Sequence, residues 1–157
     1  MVQEKNLFHK NWNKHSAGVL NNYEIMTSEG KLHFSDRATG LMWSPFFSAQ
    51  KITWYETLGL VMEINRSKSG GFENWRMPTL EEAMTLLDSW KNSHGLYRDP
   101  IFDKKHPEIW TNTLAQVNFV DEGFGLEKAW VVNFKNGKCE EKQVHSKKHI
   151  FLVRSTK

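Results

Sequence analysis

Two groups of residues could supply chemistry in this chain, and each would need a particular placement. Asp99, Asp103 and His106 stand close together in one proline-bearing stretch, and two carboxylates with an imidazole can gather a divalent cation or exchange a proton with a substrate. His145 and His149 are four residues apart with Lys147 and Lys148 between them. On a helix that spacing would offer two imidazoles to one zinc ion. Here it spans a strand end and a turn with no third ligand, so solvated histidines are the simpler expectation. Capping a turn is likewise the ordinary role of loop acids such as Asp99 and Asp103. Cys139 is the only cysteine, which leaves no internal disulfide and no four-cysteine zinc site. No Ser/His/Asp or Cys/His order stands out, and no glycine-rich phosphate loop is present. The sequence therefore assigns no catalytic residue, no metal and no cofactor.

A binding role has two candidate places. The first is a pair of long loops, 91–108 and 114–127, flanking Trp110 and Asn112. Function concentrates on loops held by a rigid scaffold, and Trp110, Asn112, Asn118, Asp121 and Glu122 could stack on a ring or hydrogen-bond a ligand there. Burial of Trp110 is the competing expectation. The second place is the basic end. Residues 135–157 carry seven Lys/Arg against Glu140 and Glu141, while the first 134 residues carry 14 against 16. Lys142, Lys147 and Lys148 could meet sulfate or phosphate groups, or simply blunt a strand edge. The net charge is only +3, and without a nucleic-acid motif that disfavours nucleic acid as a partner.

The elements that must hold these places can be read from start and stop signals. Pro78 keeps Met77 extended, Thr79 suits an N-cap, and Glu82 stands where it can close a capping box. Leu80, Ala83, Met84, Leu87 and Trp90 then predict one apolar helical stripe. Thr53 and Glu56 form a second box, opening a helix whose one side is traced by Trp54, Leu58, Val61, Met62 and Asn65 and which ends by Ser67. Leu32–Phe34 and Leu41–Trp43 predict an early hairpin around Arg37-Ala38-Thr39-Gly40. Strands follow at 109–113, 130–134, 138–145 and 150–154, with Asn136-Gly137 as the strongest hairpin turn. Residues 1–30 are expected to form an arm or first strand, with Phe8 and Trp12 as anchors, and 31–157 the body of one domain. Its 157 residues, seven tryptophans and ten phenylalanines suffice for a real core. The expected class is α+β, two helices on an antiparallel sheet with long irregular loops. No run reaches membrane-spanning length. The opening Met-Val-Gln-Glu-Lys-Asn lacks a signal-peptide core. A cytoplasmic protein is the expectation, or an extracellular one if a leader has been removed.

Several of these segments resemble one family. Phe34-Ser35-Asp36-Arg37-Ala38-Thr39-Gly40-Leu41-Met42-Trp43 resembles its "TGLMW" opening, and Thr53-Trp54-Tyr55-Glu56 its first helix start. Trp75-Arg76-Met77-Pro78-Thr79 resembles its "WRLPT" box. Pro100-Ile101-Phe102, Ile109-Trp110-Thr111-Asn112-Thr113 and the stretch Ala129 to Gly137 follow in the family's order. The family is the Lcl C-terminal domain of bacterial collagen-like adhesins, a domain of unknown function, and the likeness covers residues 31–157. The resemblance implies a C-type-lectin-like fold, similar to that of the formylglycine-generating enzymes. For adhesin members it also implies binding of sulfated polysaccharide, usually as a trimer. Many relatives end in "VRCVR", whereas this chain has Val153-Arg154-Ser155-Thr156-Lys157 and no collagen-like stalk. The oxidase chemistry of formylglycine-generating enzymes needs two cysteines, and calcium-dependent lectins carry Glu-Pro-Asn or Gln-Pro-Asp; neither requirement is met. The expected function is a non-enzymatic module that binds a protein or an anionic glycan through loops 91–128 and the basic end. The alternative is an enzyme with a loop-built Asp/His site, with or without a metal.

Overall fold

The computed structural model describes residues 20–48, 50–102, 105–116, 119–120, 123–124 and 127–157. The chain begins as a meander, β1 (Tyr23–Ser28), β2 (Lys31–Asp36) and β3 (Leu41–Phe47). Two helices follow, α1 (Trp54–Arg66) and the short α2 (Leu80–Met84), with a single 3-10 turn at Ser69–Gly71 between them. The second half contributes β4 (Glu108–Gln116), a small hairpin β5 (Phe119–Val120) and β6 (Gly123–Phe124), then β7 (Lys128–Asn133), β8 (Lys138–Gln143) and β9 (Phe151–Ser155). The class is α+β, but the strands make two main antiparallel sheets rather than one. Their orders are β1-β2-β3-β9 and β4-β7-β8.

The split follows from the character of the last two strands. Lys138–Gln143 is charged along its length and partly exposed, which suits an edge. Ile150 to Val153 is an unbroken apolar run with every residue buried, and such a run demands cover on both faces. It therefore leaves the late meander and pairs with β3, Trp43 opposite Val153. On its other side it bridges to Arg76, whose N–H donates to Val153 O at 3.0 Å while Val153 N–H donates to Arg76 O at 2.9 Å.

Successive strand residues point to opposite faces, and here each face meets its own core. Trp43, Phe151, Val153, Ile109, Trp130 and Val132 pack with α2 in one cluster. Their neighbours Met42, Leu152, Trp110 and Val131 pack with Trp75 and with Leu60, Val61 and Ile64 of α1 in the other. The inward side of α1 thus runs through Thr57, Leu60, Val61 and Ile64, a spacing of three and four residues. Leu58 and Met62, expected on that side, face outward and are 43% and 64% exposed. Phe8 and Trp12 lie outside the described residues.

Both helices begin as their sequences require. Thr53 accepts from Glu56 N while Glu56 accepts from Thr53 N, and Thr79 and Glu82 repeat the arrangement. The turn between β2 and β3 is organised by Asp36, fully buried, whose carboxylate accepts from Asn22 N, Ala38 N, Asn21 Nδ2 and Thr39 Oγ1 at 2.8–3.0 Å. Replacing Asp36 by Ala strands those four donors. The expected loss is about 3 kcal/mol of stability at neutral pH, read as a fall in the urea midpoint without a change in slope.

Candidate functional site

The motif residues are absorbed by the fold. Arg76 makes a two-pronged ion pair with Glu82, Nη1 and Nη2 each 2.7 Å from a carboxylate oxygen. That pairing draws the Glu82 carboxyl below its ordinary range against the opposing effect of burial. Trp110, a candidate for ring stacking, is fully buried, and its indole N–H donates to Ile52 O at 3.0 Å. It lies near the start of β4, where both faces of the sheet are covered, and offers no platform to solvent. Asn112 is exposed on the same strand, its backbone N–H tied to Pro78 O. Asn118, Asp121, Glu122 and Asp103 lie outside the described residues.

The basic end is partly neutralised from within. Lys148 Nζ lies 2.8 Å from Glu108 Oε2, with only 15% of its side chain exposed. Lys142 pairs with Glu140 at 3.3 Å on the face of β8. Of the three lysines only Lys147 stands exposed. The histidines also part company. His145 is exposed, whereas His149 is buried, its Nδ1 3.1 Å from Ser48 O and its ring edge-on to His106 at 4.4 Å. The two lie beyond the end of β8, where the chain turns, so the expectation of two solvated histidines holds only for His145. Asp99 accepts from Ile101 N at 2.8 Å, a turn-capping contact. Among the described residues no group of three or more His, Cys, Asp or Glu could hold a metal ion. Cys139 is half-buried in β8, and its thiol is pushed up to about 12, chiefly by burial and then by Glu140 and Glu81. A thiol so raised is a poor nucleophile at neutral pH.

A different surface emerges beside α2. The apolar stripe predicted from Leu80 to Trp90 is helical only as far as Met84, after which Leu86 and Leu87 fold back through single tight turns and both become buried. The helical phase is lost there, and Trp90 comes out 73% exposed. It stands on the rim of a cavity of about 680 Å³ whose other walls include Asp88, Ser89, Lys91, Ser93 and Pro100. One residue shapes this loop. Asn92 Oδ1 accepts from His94 N and Leu96 N, its Nδ2 donates to Arg98 O, and its backbone N–H reaches Leu96 O. Gly95, at φ +74°, closes the turn that brings these groups together. Tyr97 then ties the loop to the sheet through Phe134 O at 2.7 Å. The cavity wall is thus a cross-linked loop on a rigid sheet. Nothing in the spacing of Trp90 distinguished it from core.

At the cavity Asp88 is held above the ordinary carboxylate range, first by burial and then by the charge of Asp99. Lys91 is exposed at the opening and leans over the Tyr97 ring at 5.5 Å. The arrangement offers an aromatic face, carboxylate and hydroxyl hydrogen-bonding groups, and one cation.

The Lcl C-terminal domain family model matches residues 33–154, and the chain belongs to that family. No curated protein and no solved structure matches it. No helix among the described residues is long and apolar enough to cross a membrane.

The Asp88 environment has a consequence for stability. A carboxyl whose folded pKa exceeds its unfolded value binds its proton more tightly in the fold, so its ionised form destabilises the protein above that pKa. Asp88→Asn removes that charge. The variant is expected to melt higher than wild type at pH 7, with the difference shrinking as pH falls and Asp88 takes up its proton, as followed by thermal unfolding across pH.

Proposed function

We propose that this domain is a non-enzymatic binding module for an anionic glycan, on a C-type-lectin-like scaffold, and that its ligand lies across the loop face at Trp90. The observation that carries the reading is the exposed Trp90 ring on the cavity rim. An indole 73% exposed at the edge of a polar cleft presents a face on which a ring can stack, and pockets with an apolar wall and a few convergent polar groups are the usual ligand sites. A sugar ring presents both chemistries, an apolar C–H face for the indole and hydroxyls for Asp88, Ser89 and Ser93. Lys91 at the opening supplies attraction for sulfate or carboxylate groups. The carboxylate of Asp88 inside the cavity directs the ligand's charge outward, toward Lys91. Membership of the family whose adhesin members are expected to bind sulfated polysaccharide supports the same class of ligand.

A second reading, a protein partner, is favoured by the outer face of α1. Tyr55, Leu58 and Met62 there are 46%, 43% and 64% exposed and fall on one helical stripe.

Calorimetric titration with sulfated oligosaccharides separates the two. Trp90→Ala is expected to weaken binding roughly tenfold or more while moving stability by less than about 0.5 kcal/mol, as for any exposed side chain. Lys91→Glu should weaken it further and flatten its salt dependence. Undiminished glycan binding in both variants, or none in wild type, rejects the Trp90 site and leaves the α1 stripe to be tested with Leu58→Asp in a pull-down.

A further inference from the structure

His33 occupies a place that ordinary packing does not explain. It sits in β2 with no solvent exposure, and neither ring nitrogen has a hydrogen-bond partner among the described residues. The imidazole stacks on Trp75 at 5.4 Å and 25° and meets the edge of Phe72 at 5.5 Å. Its Nε2 faces Gly70 so closely that a Cβ there would stand 2.5 Å away, and Gly70 already holds φ +71°. Only glycine fits beneath the ring. The box is therefore closed on its aromatic sides and by backbone below.

The cations around this box oppose a proton. Lys31, two residues back on β2, and Arg154 of β9 both disfavour the imidazolium, after the larger effect of burial, and His33 is held below an ordinary histidine. Arg154 lies over the Phe72 ring at 4.1 Å. Met26, opposite His33 on β1, brings no charge. The nearby carboxylates stand at the solvent side: Glu29 is exposed at the hairpin tip beside Gly71, and Glu73 is engaged with Lys68 at 3.2 Å. The Ser69 hydroxyl already accepts from Lys31 Nζ at 2.5 Å, and Ser69 O accepts from the Trp75 indole at 3.2 Å. A neutral ring without partners is tolerable; a charged one without an acceptor is far more costly.

We propose that His33 is an acid-sensitive latch: its neutral ring fastens the tip of the β1–β2 hairpin to the Ser69–Trp75 crossing, and protonation releases it. The tip lies on the outer strand of its sheet. β1 is a sheet edge whose residues 24–27 are all exposed, and near the turn the ring contacts of His33 and the Lys31–Ser69 hydrogen bond tie it to the body. The sign follows from linkage. An opened His33 binds its proton as an ordinary histidine does, near pH 6.5, and the closed one only at lower pH. Closure is complete above that value and is lost progressively below it, with opening up to about tenfold more frequent for each pH unit. This device stands apart from the ligand reading, since neither Trp90 nor its cavity contributes to it.

The test combines ring ¹⁵N resonances with amide exchange on the full chain between pH 7.5 and 5. The His33 ring is expected to stay neutral in the closed protein below the pH at which a free imidazole is half protonated. Opening frequencies of amides 28–33 and 69–75, corrected for intrinsic exchange, should rise toward pH 5 while those of β7 do not. In His33→Phe that rise should vanish; His33→Leu serves should the larger ring prevent folding. Ordinary titration of the ring within an intact hairpin, an equal rise in the variants, or a uniform rise across the whole domain overturns the latch.

Discussion

The buried first half of β9 holds both cores shut. Phe151 and Val153 enter one cluster, Leu152 enters the other with Ile150 just before it, and none of them is exposed by more than 1%. The strand pairs with β3 on one edge and bridges to Arg76 on the other. It thereby connects a hairpin made near residue 40 with a helix start made near residue 79. Neither core can close until the end of the chain arrives, so the fold rests on pairings of high sequence separation, which form late and slowly. The two helices depend on it in turn. A five-residue helix such as α2 has no stability of its own; it persists because Thr79 and Glu82 cap it, Thr113 Oγ1 accepts from Leu80 N, and Leu80, Ala83 and Met84 are buried.

That dependence explains why the segments that carry the family likeness are architectural. Asp36 collects four donors to shape a turn, Arg76 and Glu82 brace the entry to α2, and Trp110 ties β4 to the segment before α1 through Ile52 O. The neighbouring Trp54 returns the contact with an indole hydrogen bond to Thr111 O at 2.9 Å. The two tryptophan contacts join residues 57 and 58 apart in the chain, and the chemistry of all these residues is spent on joining elements. The Arg76–Glu82 pair is partly exposed, so its contribution lies more in orienting the helix start than in raw stability. Function is left to side chains that the architecture does not use.

Local signals were legible where the deciding interaction is local. Both capping boxes, the stop at Ser67 and the Asn136-Gly137 turn depend on neighbours in sequence, and each appears where its residues predicted. The antiparallel strands were legible for the same reason, as was the placement of Trp130, Val132 and Phe134 on one face. The partition into two sheets was not, because it turns on where β9 finds cover. Lys148 looked free because its partner, Glu108, is 40 residues away. Trp90 looked buried because a helical repeat was extended past the point where Leu86 and Leu87 both turn inward. Leu58 and Met62 were misplaced by a smaller error, a rotation of the α1 stripe that the position of Thr57 would have corrected.

The internal use of charge also limits what any anionic ligand can feel. The excess of lysine at the chain's end suggests a strong positive field, yet Lys148, Lys142 and Lys128 each face a carboxylate within 4.0 Å. Fields from such pairs fall off faster than those of lone charges and are further screened by salt. Attraction at long range therefore falls to exposed cations such as Lys91 and Lys147, which makes steering modest. In the glycan-binding role proposed here, selectivity would then come from contact, where an indole face and a few fixed polar groups discriminate ring shape and hydroxyl pattern more sharply than charge does. A module built this way would bind weakly at a single site. Presented in several copies on one particle or surface, it would gain affinity through effective concentration rather than through any new contact.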